Sequence, residues 1–596
     1  MGPNVRNVNG MHWLLLLLLG LGVVPAEART VSVSELNYAP LDGSDFEFIE
    51  LINLGADAVV LTGAQFTNGI DYRFDTATTL QPGARLVICS DRTSFASRYG
   101  NGVPLAASKF KGKLDDQGEQ ITLVSATGEI LFQFKYDSSG DWPSRANGLG
   151  SSLECVDPNG KLSDPANWRS STEYNGSPGI AGVGPSRPVV INEILAHTDP
   201  PLEDAIELYN PGTQTVDLSG WYLSNNRANP AKYRIPNGTH ISPGGYRVFF
   251  EKDFNRAGDS DRFTFNSANG DEAVLISTDS SGKLLHWIDA TSFGPSENGV
   301  SFGRSPNGTG PLVTLADLGL GTPVRKDSSP LLLAEFRKAP GAPNGLPRVG
   351  PVVFRVIQYQ PASNDFEYVE LLNITAAPVS LFDPLNPSNT WRIRDGVDFD
   401  FPAGVSLTAN ATVIVCATDP GTFRLKHGLP ASALVYGPWT NQLSNSGERI
   451  ALYKPDPPQL PPHPDAGLVP YILVEEIHYD DSDPWPVLAN GQPFRLERKT
   501  VGYGDAATNW VAVSASGQPV APPVVHVMLA EPGSIRITFL QAAGVTYFLE
   551  TRDSLGAAGV AGWTRGEEIP KSATPTTARI VVPIGESPGF FRVVAP

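Results

Sequence analysis

The sequence predicts an all-β protein built of tandem two-sheet sandwiches. Three observations point there: 59 Gly and 53 Pro against few charged residues, many short runs that alternate apolar and polar side chains, and an ordered set of such runs that occurs three times. Gly and Pro penalise helix interiors and serve the turns between short strands. A chain of 596 residues is also too long for one core, since cores stop growing at roughly 250–300 residues.

The repeat opens with two strands. Val33-Ser34-Glu35-Leu36-Asn37, Ile191-Asn192-Glu193-Ile194-Leu195 and Phe354-Arg355-Val356-Ile357-Gln358 come first. Asp45 to Asn53, Asp204 to Asn210 and Asp365 to Asn373 follow as period-2 strands closed by Asn. Their Glu50, Glu207 and Glu370 lie 157 and 163 residues apart, a spacing that suits one domain per copy. A turn then leads into a buried strand ending at Cys89, Phe250 or Cys416, and Gly118-Glu119, Gly270-Asp271 and Gly447-Glu448 each start another. Ser152 to Cys155, Ser301 to Arg304 and Arg495 to Arg498 close the pattern. Asn167-Trp168 and Asn509-Trp510 follow in the first and third copies, and the second ends through Leu331 to Asn344, echoing Ser177-Pro178-Gly179.

In the order of these elements the chain resembles the lamin tail domain, most closely in the second copy through Asn192-Glu193-Ile194, Ile206 to Asn210 and Leu218-Ser219-Gly220-Trp221-Tyr222-Leu223. The first copy departs at Thr62 to Phe66, where Phe66 is read as replacing Trp. The third has Gln358 in place of the opening Glu and Phe382-Asp383 where Gly-Trp belongs. The resemblance implies an immunoglobulin-like β-sandwich in each copy. Residues from about Val524 to Pro596 differ, and their strands predict a smaller β-sandwich, similar to C-terminal attachment or sorting modules of exported bacterial proteins. The expected organisation is a leader (1–28), lamin-tail-like domains at 29–180, 188–345 and 350–518, and a C-terminal module at 521–596.

Residues 1–28 read as a secretory signal peptide: Arg6 precedes the apolar run from Trp13, and Ala26 and Ala28 suit cleavage after Ala28. The run is shorter than the roughly 20 residues of a membrane-spanning helix, and no second long apolar run follows. The net charge of −18 argues against nucleic acid, because such affinity comes mostly from Lys and Arg on phosphates. Nuclear lamins use their tail domain for protein, DNA and membrane contacts; here the acidic balance leaves protein or polysaccharide as the expected partner.

No residue is nominated as catalytic, cofactor-binding or metal-ligating. Gly299-Val300-Ser301-Phe302-Gly303 fits the G-x-S-x-G nucleophile elbow in letters, but its Ser falls on a strand with no helix pattern behind it. His197, His240, His286, His427, His463, His478 and His526 form no zinc-type pair. Glu35, Glu193, Glu50, Glu207 and Glu370 could pass for a paired-carboxylate site, and are read as facing outward or bonding to an adjacent loop. Asp480-Asp481-Ser482-Asp483 and Asp259-Ser260-Asp261 offer oxygen ligands, so weak Ca2+ binding is left open. Cys89 and Cys416 read as buried apolar residues, Cys155 as outward-facing, and a Cys89–Cys155 bridge stays open.

These readings favour an exported, non-catalytic structural, adhesive or binding protein, secreted or at the cell surface. Exposed loops, such as Asn225-Asn226-Arg227-Ala228-Asn229, are the expected contacts, because strands fix loops at the ends of a sandwich. The alternative is a secreted hydrolase, or an accessory module of a hydrolase or carbohydrate-binding system.

Overall fold

The computed structural model describes residues 29–198, 203–315, 344–361, 363–461, 465–486, 489 and 494–514, then strands between Val525 and Val594. The leader at 1–28, most of the segment from Leu331 to Asn344, His463 and Gly562-Trp563 lie outside the described residues. The chain divides into two compact units, residues 1–186 with 283–287 and residues 187–282 with 288–596. The fold is almost wholly β.

In the first unit a sheet runs in the order Trp168–Ser170, Leu153–Cys155, Val31–Asn37, Phe48–Asn53, Arg85–Cys89, and another contains Gln65–Asn68, Gln120–Val124 and Ile130–Lys135. Val33, Leu36, Ile49 and Leu51 form one core with Phe66, Ile121, Leu123, Phe134 and Trp168. The second unit repeats the plan. One sheet runs Tyr246–Phe250, Ala205–Tyr209, Val190–Leu195, Phe302–Arg304, Leu312–Thr314. The corresponding third-copy sheet runs Val435–Tyr436, Thr412–Cys416, Tyr368–Asn373, Val352–Gln358, Phe494–Arg498, Trp510–Ser514. Opposite it lie Phe399–Asp400, Arg392–Asp395, Gly447–Pro455 and Tyr471–Asp480. Beyond Ser514, two three-stranded sheets, among them Ser534–Gln541, Tyr547–Arg552 and Phe590–Val594, are consistent with a further β module.

Each opening strand pair carries a β-bulge at the same place, between Val33 and Glu35, Ile191 and Glu193, and Phe354 and Val356. A bulge sets an extra residue against the partner strand and turns its side chain. The residues so turned are Ser34, Asn192 and Arg355.

Short helices follow the strands ending at Cys89, Phe250 and Cys416, where the sequence pattern predicts none: Arg92–Tyr99, Glu251–Phe254 and Pro420–His427. The local signal for the first and third was an N-cap. Asp91 accepts from the N–H groups of Thr93 and Ser94, and Asp419, ahead of Pro420 at the first helical position, accepts from Thr422. Phe95 and Phe423 of these helices cover the sheet face opposite the main core, packing with Cys89 and Cys416 respectively. Both cysteines are buried, as expected.

Backbone hydrogen bonds correct three alignments. Leu61, Leu218 and Leu381 each bond across to Thr78, Thr239 or Val405, and the residue next bonded back to that Leu is Ala64, Trp221 or Trp391. Ala64, not Phe66, therefore stands in the place of Trp221, while Phe66 pairs with Leu123 as Leu223 pairs with Leu275. The third copy keeps its Trp, displaced to Trp391 by an insertion that contains Phe382-Asp383. In register with Glu370 stands Val356, so Val356, not Gln358, replaces the opening Glu.

The closing Asn is a loop pin. The Asn210 amide donates to the carbonyls of Gln214 and Ile241 at 2.8 and 2.9 Å, and its oxygen accepts from Gly212 N–H at 2.8 Å. Asn53 makes the same bonds to Asp57, Leu80 and Gly55, and Asn373 to Ala377, Leu407 and Thr375. Asn210→Ala leaves buried backbone groups unpaired and is expected to destabilise the second copy by about 2 kcal/mol in urea denaturation; a change within 0.5 kcal/mol would mean that the loop holds itself.

Candidate functional site

The bulges assemble buried carboxylates. Glu35 and Glu193 are in register with Glu50 and Glu207, and all four are at most 1% exposed. The outward reading of these glutamates is thus overturned for four of the five, because the second face of the opening strands is covered as well as the first. Their hydrogen bonds to adjacent segments are found as read. In each copy the bulged side chain donates to the second-strand Glu: Ser34 Oγ to Glu50 at 2.6 Å, Asn192 Nδ2 to Glu207 at 2.9 Å, Arg355 Nη1 to Glu370 at 2.6 Å.

A tail segment closes the centre in the first copy. Glu35 Oε1 accepts from Ser152 Oγ at 2.5 Å and from Ser177 N–H at 2.8 Å, and Glu50 accepts from Gly179 N–H and from Arg85 at 2.7 Å. Gly176, just ahead of Ser177, has φ +98°, and a Cβ there would run into Glu35 Oε1, so only Gly lets the tail approach. Removal from water, and then the charge of Glu50, raise the Glu35 pKa to about 8. The Glu35–Glu50 pair therefore keeps a proton at neutral pH, which is how two carboxyls coexist in one buried place. In the second copy Asn344 takes the closing role, donating to the carbonyls of Asn192 and Arg304 at 2.8 and 2.9 Å.

Ser301 of the elbow-like motif is buried and donates to Glu193 Oε1 at 2.5 Å, as Ser152 does to Glu35. It precedes the strand Phe302–Arg304, which pairs onward with Leu312–Thr314, so no nucleophile elbow forms. The arrangement binds backbone and holds a proton, but its oxygens are committed inward.

Beside each centre lies a second buried element. Arg304 reaches Asp289 at 2.8 Å and the carbonyl of Ile191 at 2.9 Å, while Asp289 accepts from Ile191 N–H at 2.9 Å. Arg498, Glu475 and Phe354 repeat this at 2.8, 3.1 and 2.6 Å. Cys155 fills the position in the first copy and is buried, not outward-facing; burial pushes its thiol up to about 12. All three thiols are free, so no Cys89–Cys155 bridge is present.

The histidines are dispersed. His197 bonds to the Ser296 carbonyl at 2.6 Å, His240 faces Asp217 at 3.2 Å, His427 faces Asp365 at 2.9 Å, and His478 faces Asp505 at 3.0 Å. Asp480 accepts from Ser482 within its own turn. Among the described residues no group of three or more His, Cys, Asp or Glu side chains could hold a metal ion. In the loop expected to make contacts, Arg227 pairs with Glu272, and Asn225 bonds to Thr264 and Asp271; Asn226, Ala228 and Asn229 are exposed.

The repeated bulge and its strand order already describe one domain type. Residues 25–138 and 183–292 match the family model described as Lamin Tail Domain. The chain contains lamin tail domains. The third copy shares the strand order and bulge of the two matched lamin tail domains. Comparison with curated proteins finds no match. Such domains are immunoglobulin-like, consistent with a structural or binding role. Among the described residues no helix is long and apolar enough to cross a membrane.

Proposed function

We propose that the protein is exported and serves, without catalysis, as a binding or structural element at the cell surface or outside the cell, with its lamin tail domains holding loops toward a protein or polysaccharide. One observation carries this reading: the serine and glutamates that most resemble reactive groups are turned inward, with Ser301 on Glu193 at 2.5 Å. The signal-like leader supports export. The test is to follow the full chain in cell fractions, to recover partners from the source envelope, and to assay the purified protein on a hydrolase panel. Mature chain outside the cytoplasm, an envelope partner and no turnover are expected. Retention inside the cell or turnover on the panel overturns the reading.

One observation favours the hydrolase alternative. Glu475 and Glu476 line a cleft of about 320 Å³ together with Arg449, Tyr453 and Tyr503, and burial raises the Glu475 pKa to about 7, partly offset by Arg498. Against it, Glu475 is engaged by Arg498 and Phe354 N–H, and Glu476 by Arg449 at 2.7 Å.

A further inference from the structure

Most cations described above have a carboxylate, and Arg392 is an exception. In the strand Arg392–Asp395 it lies in register with Asp400, yet Asp400 is taken by Arg394 at 2.5 Å. Asp398 also faces Arg394, at 3.8 Å, and Asp395 is paired with Arg449. Arg392 Nε is buried without a hydrogen-bond partner, and among the described residues no ion pair reaches its guanidinium. Its carbon sits 3.3 Å from the centre of the Tyr471 ring and 6.0 Å from that of Tyr453. Stacking on Tyr471 holds the guanidinium plane and leaves the two Nη groups, rather than the buried Nε, for an acceptor. Burial, and then the charge of Arg394, lower its pKa, partly offset by Tyr471 and Asp400.

Arg392, Arg394, Asp395, Asp398, Tyr453 and Tyr471 line an open groove of about 630 Å³. An acceptor fitting a flat guanidinium fork is a carboxylate, taken through two parallel N–H bonds. The neighbouring tyrosines suit a ring that presents an apolar face and hydroxyl edges. We propose that this groove binds a carboxylate-bearing sugar of a polysaccharide, with Arg392 as the anchor for the carboxylate and Tyr453 and Tyr471 beside the sugar ring. This rests on the binding reading above and names its ligand class.

The test is calorimetry of the full chain with a trigalacturonate, with its neutral trigalactose counterpart, and with a tri-glutamate peptide, for the natural protein, Arg392→Gln and Arg392→Lys, each first shown to keep its thermal transition. The expected result is binding of the trigalacturonate alone, weakened at least tenfold by Arg392→Gln and less by Arg392→Lys. Equal binding of the neutral sugar, preference for the peptide, no binding of the uronate, or indifference to Arg392→Gln overturns the site. Envelope recovery with Arg392→Gln separates the two readings: a partner still retained leaves the general binding role standing while the groove fails.

Discussion

Arg304→Ala is expected to destabilise the second lamin tail domain by about 3–5 kcal/mol. The substitution leaves the carboxylate of Asp289, whose side chain is 0% exposed, without its closest cation, and removing one partner of a buried pair costs that order. The Ile191 carbonyl also loses a donor. The double variant Arg304→Met with Asp289→Leu should recover part of the loss, because no lone charge then stays buried. Arg498→Ala should act alike in the third copy, where Glu475 is the stranded group. The first copy shows that the position tolerates an uncharged residue, Cys155. Urea denaturation with hydrogen exchange at Ile191 reads the effect, and a loss under 1 kcal/mol for Arg304→Ala would show that water reaches the pair.

The second large effect is one of pH. Folded Glu35 has a raised pKa, about 8, and Glu47 is raised to about 7 by burial. A carboxyl whose folded pKa lies above its unfolded value favours the fold while protonated. Its contribution is fully present below about pH 4.5 and is lost as pH rises through 7 to 8. At roughly 1.4 kcal/mol per pH unit, the roughly five pH units these two groups together span between pH 5 and pH 9 imply a loss on the order of 7 kcal/mol for the first unit, a fall of more than roughly 10 °C in its thermal midpoint. Glu35→Gln keeps acceptor and donor capacity but does not ionise, so it should flatten a large part of that slope. Equal slopes in both proteins would mean that Glu35 is already charged and solvated. The buried Glu35 and Glu50 make this unit more acid-tolerant than its number of carboxylates implies.

Much of the fold was legible because the information is local and repeated. The strands closed by Asn53, Asn210 and Asn373 announce themselves by period and by a terminal amide, and three ordered copies fix the architecture without any long-range knowledge. The burial of Cys89 and Cys416 followed from their holding, in the first and third copies, the place that Phe250 fills in the second. The candidate site was less legible. Alternation says that Glu35 and Val33 share one face while Ser34 takes the other; the bulge after Val33 breaks that count, and no local pattern in these residues marks it.

What the sequence by itself determined is the class of the fold, its repetition, and the chemistry available at each position. Tertiary structure alone decided which side of each strand is covered, so that Glu35, Glu193 and Arg304 became internal partners and Cys155 a core thiol. It also decided that Trp391 rather than Phe382 fills the place of Trp221, and that among the described residues no ion pair reaches Arg392. The physical reason is that burial and pairing depend on segments distant in the chain, such as the tail at Ser177 and Gly179, whose approach is set by packing and register and not by the residues they cover.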